Sequence, residues 1–186
     1  MNNIYIPYSN VIGDKKYKCG REEGSIRFEK AKVEDAEALT EVQIRTFDDD
    51  SRRFGGRPGG GPPGYDSVSW QIEAMEKAIY YKILVEDNII GGVIISDMGG
   101  GHYELSRIFI APDFQNKGIG TQAIQFIEKA FPAAKRWTLD TPCWAYRNQH
   151  FYEKMGYVKV GEAAPDKHRW FSLFLYEKNV TEPCAE

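Results

Sequence analysis

Short runs of alternating apolar and polar residues predict the strands of this chain, and longer runs with an apolar residue every three to four positions predict its helices. The alternating runs lie at residues 25–30, 80–86, 89–97, 102–110, 136–140, 157–162 and 169–176. The longer runs lie at residues 33–47, 68–79, 119–131 and 144–155. The order β, α, α, β, β, β, α, β, α, β, β predicts an α/β (α+β) fold. We expect a mixed, mainly antiparallel central sheet of about six or seven strands flanked by about four helices.

Residues 48–66 break both patterns. They contain six glycines and three prolines, which disfavour helices and strands. We therefore predict a long loop, and a loop of this length inside a compact domain is usually functional or disordered. Either Asp66 or Ser67 is expected to cap the helix that follows the loop.

The chain shows no internal repeat and no second domain boundary. Residues 25–177 are predicted to form one domain between an N-terminal extension (residues 1–24) and a C-terminal tail (residues 178–186). A length of 186 residues allows a sizeable core. The first residues show no basic region followed by an apolar core, so no signal peptide is expected, and no apolar run is long enough to span a bilayer.

Charge and cysteine content limit the classes of partner. The net charge of −3 gives no support for binding to nucleic acid or to an anionic membrane, so we expect neither. The three cysteines, Cys19, Cys143 and Cys184, are widely separated and form neither a zinc pattern nor a disulfide framework. This usage fits a reducing cytoplasm, and we expect no metal.

A glycine-containing loop between a predicted strand and a predicted helix is the main candidate for a binding site. It reads Gln115-Asn-Lys-Gly118-Ile-Gly120-Thr. Glycine has no Cβ, so a ligand can approach the backbone closely. The start of a helix presents unpaired N–H groups and a partial positive charge, to which Lys117 adds a full charge. These features predict a phosphate-bearing ligand at residues 115–121.

Two well-known phosphate motifs fit this loop poorly. A P-loop requires Gly-x4-Gly-Lys-Ser/Thr, and no glycine precedes Lys117 at that spacing. The dinucleotide fingerprint Gly-x-Gly-x-x-Gly/Ala is matched by Gly118, Gly120 and Ala123, and Asp140 lies about twenty residues further on. However, seven residues separate the strand from the first glycine, and the preceding strands are linked by hairpins. An NAD-dependent oxidoreductase therefore stays open as a weaker alternative.

A third pattern, Gln/Arg-x-x-Gly-x-Gly/Ala, matches from Gln115 to Gly120. Here the chain resembles the GCN5-related N-acetyltransferase (GNAT) family. The family also places a hydrophobic-x-hydrophobic-x-Pro segment before the loop, which is present as Ile108-Phe-Ile-Ala-Pro112. A second motif follows on a later helix, Asn148-Gln-His-Phe-Tyr152-Glu-Lys-Met-Gly156-Tyr157. The resemblance covers about residues 25–177, and the predicted order of elements matches the family fold.

The resemblance implies acetyl-coenzyme A (acetyl-CoA) as the acetyl donor. Its pyrophosphate is expected on the N–H groups of residues 116–121. In this family the pantetheine arm lies beside the strand before the loop like an additional strand, which requires free N–H and C=O groups. The implied cofactor-binding residues are Ile108, Phe109, Ile110, Gln115, Asn116, Lys117, Gly118, Ile119, Gly120, Thr121, Asn148 and Tyr152.

The resemblance also implies catalytic roles. Tyr152 is the implied general acid, which protonates the departing thiolate; packing in the core is the alternative role for its ring. Asn148 and Tyr152 are four residues apart and therefore share a helix face. The acceptor amine must lose a proton before it attacks, and Glu104 is the candidate base, with His102 and Asp97 as alternatives. The oxyanion is expected to bind a backbone N–H near Ile110.

The acceptor itself is not identified by the sequence. The loop at 48–66 lies where the family admits its acceptor, and Asp48–Asp50 either attract a cationic amine or are simply solvated. Three nearby arginines, Arg52, Arg53 and Arg57, complicate a simple charge argument, and contact with an acidic group is the alternative role for them. Trp70 either lines the acceptor pocket with Phe54 or contacts a second copy in a homodimer. The leading hypothesis is direct acetylation of a primary amine on a small molecule or peptide, and the alternative is a non-catalytic CoA-binding module.

Overall fold

The computed structural model of the chain describes residues 25–54, 61–165 and 171–180. Its seven strands are β1 (Ile26–Lys30), β2 (Ile79–Val85), β3 (Asn88–Gly99), β4 (His102–Ile110), β5 (Arg136–Pro142), β6 (Val158–Ala163) and β7 (Leu173–Asn179). Its four helices are α1 (Ala36–Phe54), α2 (Val68–Lys77), α3 (Ile119–Ala130) and α4 (Tyr146–Lys154). The N-terminal extension predicted at residues 1–24 lies outside the described residues, as does most of the C-terminal tail.

All seven strands form one sheet in the order β1-β2-β3-β4-β5-β7-β6. Neighbouring strands are antiparallel except β4 and β5, which are parallel. The predicted fold class and order of elements are therefore confirmed. A single parallel pair does not make the doubly wound sheet of a dinucleotide-binding domain.

Each face of the sheet is packed against helices through its own apolar cluster. On one face, α3 and α4 pack on the middle strands, and the fully buried ring of Trp137 lies in this cluster. On the other face, α1 and α2 pack on β2–β4 around Leu39, Ile94 and Phe109. Burying a large apolar side chain stabilises a fold by about 1.5–3 kcal/mol, so these clusters determine how the helices are placed.

The predicted end of the first helix is wrong. The sequence suggested a loop from residue 48, whereas α1 continues to Phe54. Asp49 forms ion pairs with Arg52 and Arg53, three and four residues further along the same helix. Such pairs favour a helix, and the glycines that break it begin only at Gly55. Residues 55–60 lie outside the described part of the chain.

Two other boundaries shift slightly. Ser67 caps α2 as predicted, because its Oγ accepts a hydrogen bond from the Trp70 N–H at 3.3 Å. The helix ends at Lys77, and Ile79 begins β2 instead of ending the helix. None of the described helices combines the length and apolar character needed to cross a bilayer.

Candidate functional site

The two halves of the sheet separate next to the glycine loop. Strands β4 and β5 pair only where His102–Glu104 meets Arg136–Thr138. Beyond Glu104, β4 continues for six residues without pairing to β5. The sheet therefore has a gap between β4 and β5, next to the end of β4 that leads into the loop.

Backbone groups of β4 face this gap. The Ala111 N–H donates to the Ile90 O on the β3 side at 2.8 Å, and hydrogen-bonded pairs alternate along an antiparallel ladder. Ile108 and Ile110 therefore direct their N–H and C=O groups away from β3 and into the gap. The Gln115 side chain confirms the direction for Ile110, because its Nε2 donates to the Ile110 O at 2.9 Å.

The glycine loop begins α3 with a set of unpaired donors. Gly118 precedes the helix in the left-handed conformation, with φ of 78°, and a Cβ placed there would meet no atom within 4 Å. The first α-helical bond joins the Gln122 N–H to the Gly118 O at 3.1 Å. Among the described residues, the N–H groups of residues 116–121 have no backbone acceptor. This arrangement suits a phosphate group.

Gly120 has a different local role. A Cβ at Gly120 would lie 3.2 Å from Cζ of Phe151, so a glycine there allows α4 to approach the start of α3. The sequence suggested that both glycines make room for a ligand. In the structure, Gly118 meets a conformational requirement and Gly120 a packing requirement.

The gap, the loop and α4 enclose one pocket of about 350 Å³. Of the twelve predicted cofactor-binding residues, only Lys117 is not part of its wall; the Lys117 side chain is exposed, with Nζ 5.4 Å from the centre of the Phe114 ring. The remaining wall residues are Thr46, Phe47, Asp50, Phe114, Arg147, Phe151 and Lys154.

Tyr152 combines a buried ring with a position in the pocket wall. It is 8% exposed, and its ring lies 6.1 Å from that of Tyr157 and 6.3 Å from that of Tyr176. Burial raises the pKa of the Tyr152 phenol, and the charges of Asp140 and Asp50 raise it further. The Tyr152 ring therefore packs in the core and also forms part of the pocket wall. Its role as general acid stays a prediction.

The pocket contains a charged pair that the sequence did not single out. Asp50 Oδ1 is buried, lies 3.7 Å from Nη2 of Arg147 and accepts no hydrogen bond within the described residues. Nη1 of Arg147 donates to Oε1 of Gln115 at 2.8 Å. Burial raises the pKa of the Asp50 carboxyl, and the Arg147 guanidinium offsets this only in part. The acidic triplet marked the region, but only the helical geometry shows which aspartate faces the pocket.

Asp48 and Asp49 have other partners. Asp48 accepts a hydrogen bond from the Tyr65 hydroxyl at 3.0 Å, and Asp49 pairs with Arg52 and Arg53. These two arginines are therefore engaged within α1. Arg57 and the side chain of Phe54 lie outside what the structure describes.

The three candidate bases differ in their surroundings. Both ring nitrogens of His102 are hydrogen-bonded, Nε2 to Thr138 Oγ1 at 2.8 Å and Nδ1 to Arg136 at 2.9 Å. The Asp97 carboxylate accepts a hydrogen bond from the N–H of Gly99, the last residue of β3, at 2.8 Å. Glu104 is half-buried beside the gap and accepts a long hydrogen bond from Ser106 Oγ at 3.4 Å. It is not part of the pocket wall itself.

The Trp70 ring is half-buried and lies under the guanidinium of Arg107, on the α1 and α2 side of the sheet.

Within residues 25–54, 61–165 and 171–180, no three His, Cys, Asp or Glu side chains are grouped so that they could hold a metal ion.

Comparison with known protein structures supports the fold. The N-acetyltransferase PaiA of Thermoplasma acidophilum, in complex with coenzyme A, superposes with a TM-score of 0.68 at 19% identity, over 84% of this chain and 99% of that one. The ribosomal-protein-S18-alanine N-acetyltransferase of Escherichia coli gives 0.66 at 11% identity, over 85% and 96%. The microcin C7 self-immunity acetyltransferase MccE, in complex with acetyl-CoA and AMP, gives 0.66 at 19% identity, over 86% and 94%.

Comparison of sequences gives the family. The uncharacterized protein YrkN of Bacillus subtilis (strain 168) is 27% identical over 99 residues, which are 53% of this chain and 54% of that protein. The match thus spans about half the length of this relative. The model of the acetyltransferase (GNAT) family matches residues 42–157, which is more than half of the chain and includes the glycine loop and α4. The chain therefore belongs to the acetyltransferase (GNAT) family.

Proposed function

We propose that the protein transfers an acetyl group from acetyl-CoA directly to a primary amine. The observation that carries this proposal is one pocket that joins the strand gap, the free N–H groups of the α3 start and Tyr152. The acetyl-CoA complex of MccE and the coenzyme A complex of PaiA support the choice of donor, since both proteins share the fold.

The residues present fit a CoA thioester. The N–H groups of residues 116–121 would hold its pyrophosphate, and Gly118 leaves space for it. Ile108 and Ile110 would pair with the amides of its pantetheine arm, and Asn148 lies in the same pocket wall. The bound thioester supplies an acyl carbon that is open to attack by an amine. A free N–H of β4 near Ile110 would stabilise the oxyanion.

Tyr152 is the proposed general acid. Because its pKa is raised, the phenol keeps its proton at neutral pH. A phenol with a pKa of about 10 gives its proton to a thiolate, whose thiol has a pKa of about 8.5, at a modest cost. The raised pKa of Tyr152 increases this cost, but the same loss of solvation destabilises a thiolate in the pocket. Burial therefore raises the pKa of both groups in the proton transfer, the Tyr152 phenol and the departing thiol.

Glu104 is the proposed base. An aliphatic amine has a pKa of about 10.4 and arrives as an ammonium ion, so one N–H proton must leave before attack. Glu104 would accept this proton, directly or through water. The second N–H proton leaves as the C–N bond forms and the C–S bond breaks, and it restores the proton that Tyr152 has given up. His102 and Asp97 are less suited as the base, because both side chains already form hydrogen bonds within the protein, His102 with Thr138 and Arg136 and Asp97 with the Gly99 N–H.

An acceptor screen tests the proposal. Calorimetry first measures coenzyme A binding, and thiol release is then followed with acetyl-CoA and a panel of primary amines, including peptides. We expect coenzyme A binding and thiol release that depends on the amine. Tight coenzyme A binding with no thiol release on any amine would instead identify a non-catalytic CoA-binding module. The absence of coenzyme A binding would reject both.

We also propose a cytoplasmic location, which is supported by the three separated cysteines. Cys143 is free among the described residues. Alkylation of the unfolded, non-reduced protein isolated from its natural source should modify all three thiols. A pair of protected thiols would contradict a reducing location.

A further inference from the structure

Arg107 lies in the part of β4 that does not pair with β5, directly before Ile108, and its side chain is on the opposite side of the sheet from α3. A bulge at Ser106 sets this orientation, because Leu105 pairs with Ile95 of β3 whereas Arg107 pairs with Ile94. Adjacent residues of β3 face opposite sides of the sheet. Leu105 therefore packs towards α3, and Arg107 faces α1 and α2. Bulges of this kind often redirect a side chain next to a functional site.

Contacts from three segments hold the Arg107 guanidinium. Nη1 donates to Oε1 of Gln43 on α1 at 2.9 Å, and Nη2 donates to the O of Pro63 before α2 at 3.1 Å. The guanidinium carbon lies 4.1 Å from the centre of the Trp70 ring and 5.9 Å from that of Phe47. The group is thus held in one place by stacking and by hydrogen bonds.

A buried polar network orients the acceptor on Gln43. Its Nε2 donates to Gln71 Oε1 and to the Tyr80 hydroxyl, both at 3.1 Å, and this hydroxyl donates to Gln71 Oε1 at 2.8 Å. Gln43 and Gln71 are 0% exposed and Tyr80 is 3% exposed. Because both N–H groups of the Gln43 amide are used, its oxygen must face Arg107. Such a network is costly to bury and preorganises the arginine.

The charge of Arg107 has no counter-ion in the described part of the chain. Its two acceptors there, an amide and a backbone carbonyl, are neutral, and they use two of its five N–H groups. Burial lowers the pKa of Arg107 to about 10, so it still carries its charge at neutral pH. A half-buried cation is normally paired with an anion, since desolvation of an unpaired charge is costly. The bond to Pro63 lies at the surface, so a ligand can reach the group.

We propose that Arg107 binds an oxyanion, a carboxylate or a phosphate, carried by the acceptor whose amine is acetylated. This inference rests on the proposed function. Phe47 connects the two sites, because its ring lies beside the Arg107 guanidinium and also forms part of the pocket wall. Glu104 projects from the same face of β4 as Arg107, on the other side of the bulge. The acceptor would then lie along this face, with its anion at Arg107 and its amine towards the gap.

Thiol release with matched acceptors tests the inference. The acceptors are β-alanine, 2-aminoethyl phosphate and the uncharged analogue β-alaninamide. We expect kcat/KM to be at least about 10-fold higher for an anionic acceptor than for the amide, through a lower KM. The reason is that loss of one partner of a charged contact weakens binding by about this factor or more. A preference for β-alanine identifies a carboxylate acceptor, and a preference for 2-aminoethyl phosphate identifies a phosphate acceptor. Equal kcat/KM values for all three would overturn the inference.

Variants separate ligand binding from support of the fold. Arg107→Gln should lower kcat/KM for the anionic acceptor at least about 10-fold more than for the amide. Arg107→Lys should restore the preference for the anion in part, because lysine keeps the charge but not the planar fork. Arg27→Gln is the matched control, since Arg27 pairs with Asp87 at an edge strand. A purely structural role predicts equal losses on all three acceptors together with a lower melting temperature, and that result would contradict the inference.

A binding measurement decides the question even if none of these acceptors is turned over. The Nε–H NMR signal of Arg107 is followed in the wild-type protein, with and without coenzyme A, during titration with N-acetyl-β-alanine, 2-aminoethyl phosphate or N-acetyl-β-alaninamide. We expect a saturable shift with at least one anion, none with the amide, and no change at Arg27. No shift with either anion overturns the inference. Failure of the proposed function would appear separately, as absence of coenzyme A binding in calorimetry.

Discussion

Tyr152 and Tyr146 lie on the same helix in opposite environments, which allows a controlled test of the general acid. Tyr152 is 8% exposed in the pocket wall, whereas Tyr146 is 75% exposed at the start of α4. Tyr152→Phe should lower kcat by about 100-fold or more, since general acid catalysis is worth about this much. Coenzyme A affinity, measured by calorimetry, should hardly change, and Tyr146→Phe should be neutral. An unaltered kcat in Tyr152→Phe would remove this residue from the mechanism.

Asp50 gives a prediction about stability and pH. Because burial raises the pKa of its carboxyl in the native state above the unfolded value, the native state binds the proton more tightly. The ionised carboxylate therefore destabilises the fold at neutral pH, and this cost is lost as the pH falls through the native pKa. Asp50→Asn should raise the melting temperature at pH 7, and the gain should shrink towards pH 4.

The control for this prediction is Asp113→Asn. Asp113 forms an exposed ion pair with Arg45, so this change should not raise the melting temperature at pH 7. If Asp50→Asn unfolds at a lower temperature than the wild type at pH 7, then the pair with Arg147 outweighs the cost of burial.

At the scale of elements, the start of α3 depends on one backbone conformation. Gly118 and Gly99 have φ of 78° and 83°, and a Cβ at either position would meet no atom within 4 Å. An alanine at each site should therefore cost a similar backbone strain, about 1–2 kcal/mol. Only Gly118→Ala should also weaken coenzyme A binding, because the strain displaces the N–H groups at the start of α3. Chemical unfolding and calorimetry on both variants check this, and equal coenzyme A affinities would argue against phosphate binding at this loop.

The helices and strands also show which local signals are reliable. The 3.6-residue apolar pattern correctly predicted α3, and the capping residue Ser67 correctly predicted the start of α2. Both signals depend only on residues that are close in the chain. The end of α1 was missed because the triplet Asp48–Asp50 resembles loop composition. In the structure Asp48 bonds to Tyr65, and Asp50 faces the pocket beside Arg147. Contacts with distant segments therefore help to stabilise the last turns of α1 in their position.

At the scale of the whole molecule, a ligand in the gap would join the two halves of the sheet. We predict that coenzyme A slows hydrogen exchange at the Ile108 and Ile110 amides, which face the gap. The Phe109 amide between them should change little, because it lies on the side that bonds to β3. Amide exchange measured by NMR with and without coenzyme A checks this alternation. Equal protection of all three amides would indicate a general stabilisation rather than pairing in the gap.

The order of elements and the motif residues could be predicted without the structure, because both depend on local periodicity and on spacing. Gln115, Gly118 and Gly120 are close in the chain, and Asn148 and Tyr152 share one helix face, so no tertiary contact was needed to relate them. Their family resemblance then suggested a donor. The acceptor side had no comparable local pattern.

The position of the gap in the sheet and the charged groups near it follow from contacts between segments that are distant in the chain. The gap arises because β4 and β5, joined across α3, pair over three residues only. Asp50 pairs with Arg147, which lies almost one hundred residues further along the chain. Arg107 contacts side chains of α1 and α2. Burial and pairing of charges follow from packing between distant segments. For this reason the glycine loop could be identified from the sequence, whereas the pairing of Asp50 with Arg147 and the contacts of Arg107 are visible only in the folded chain.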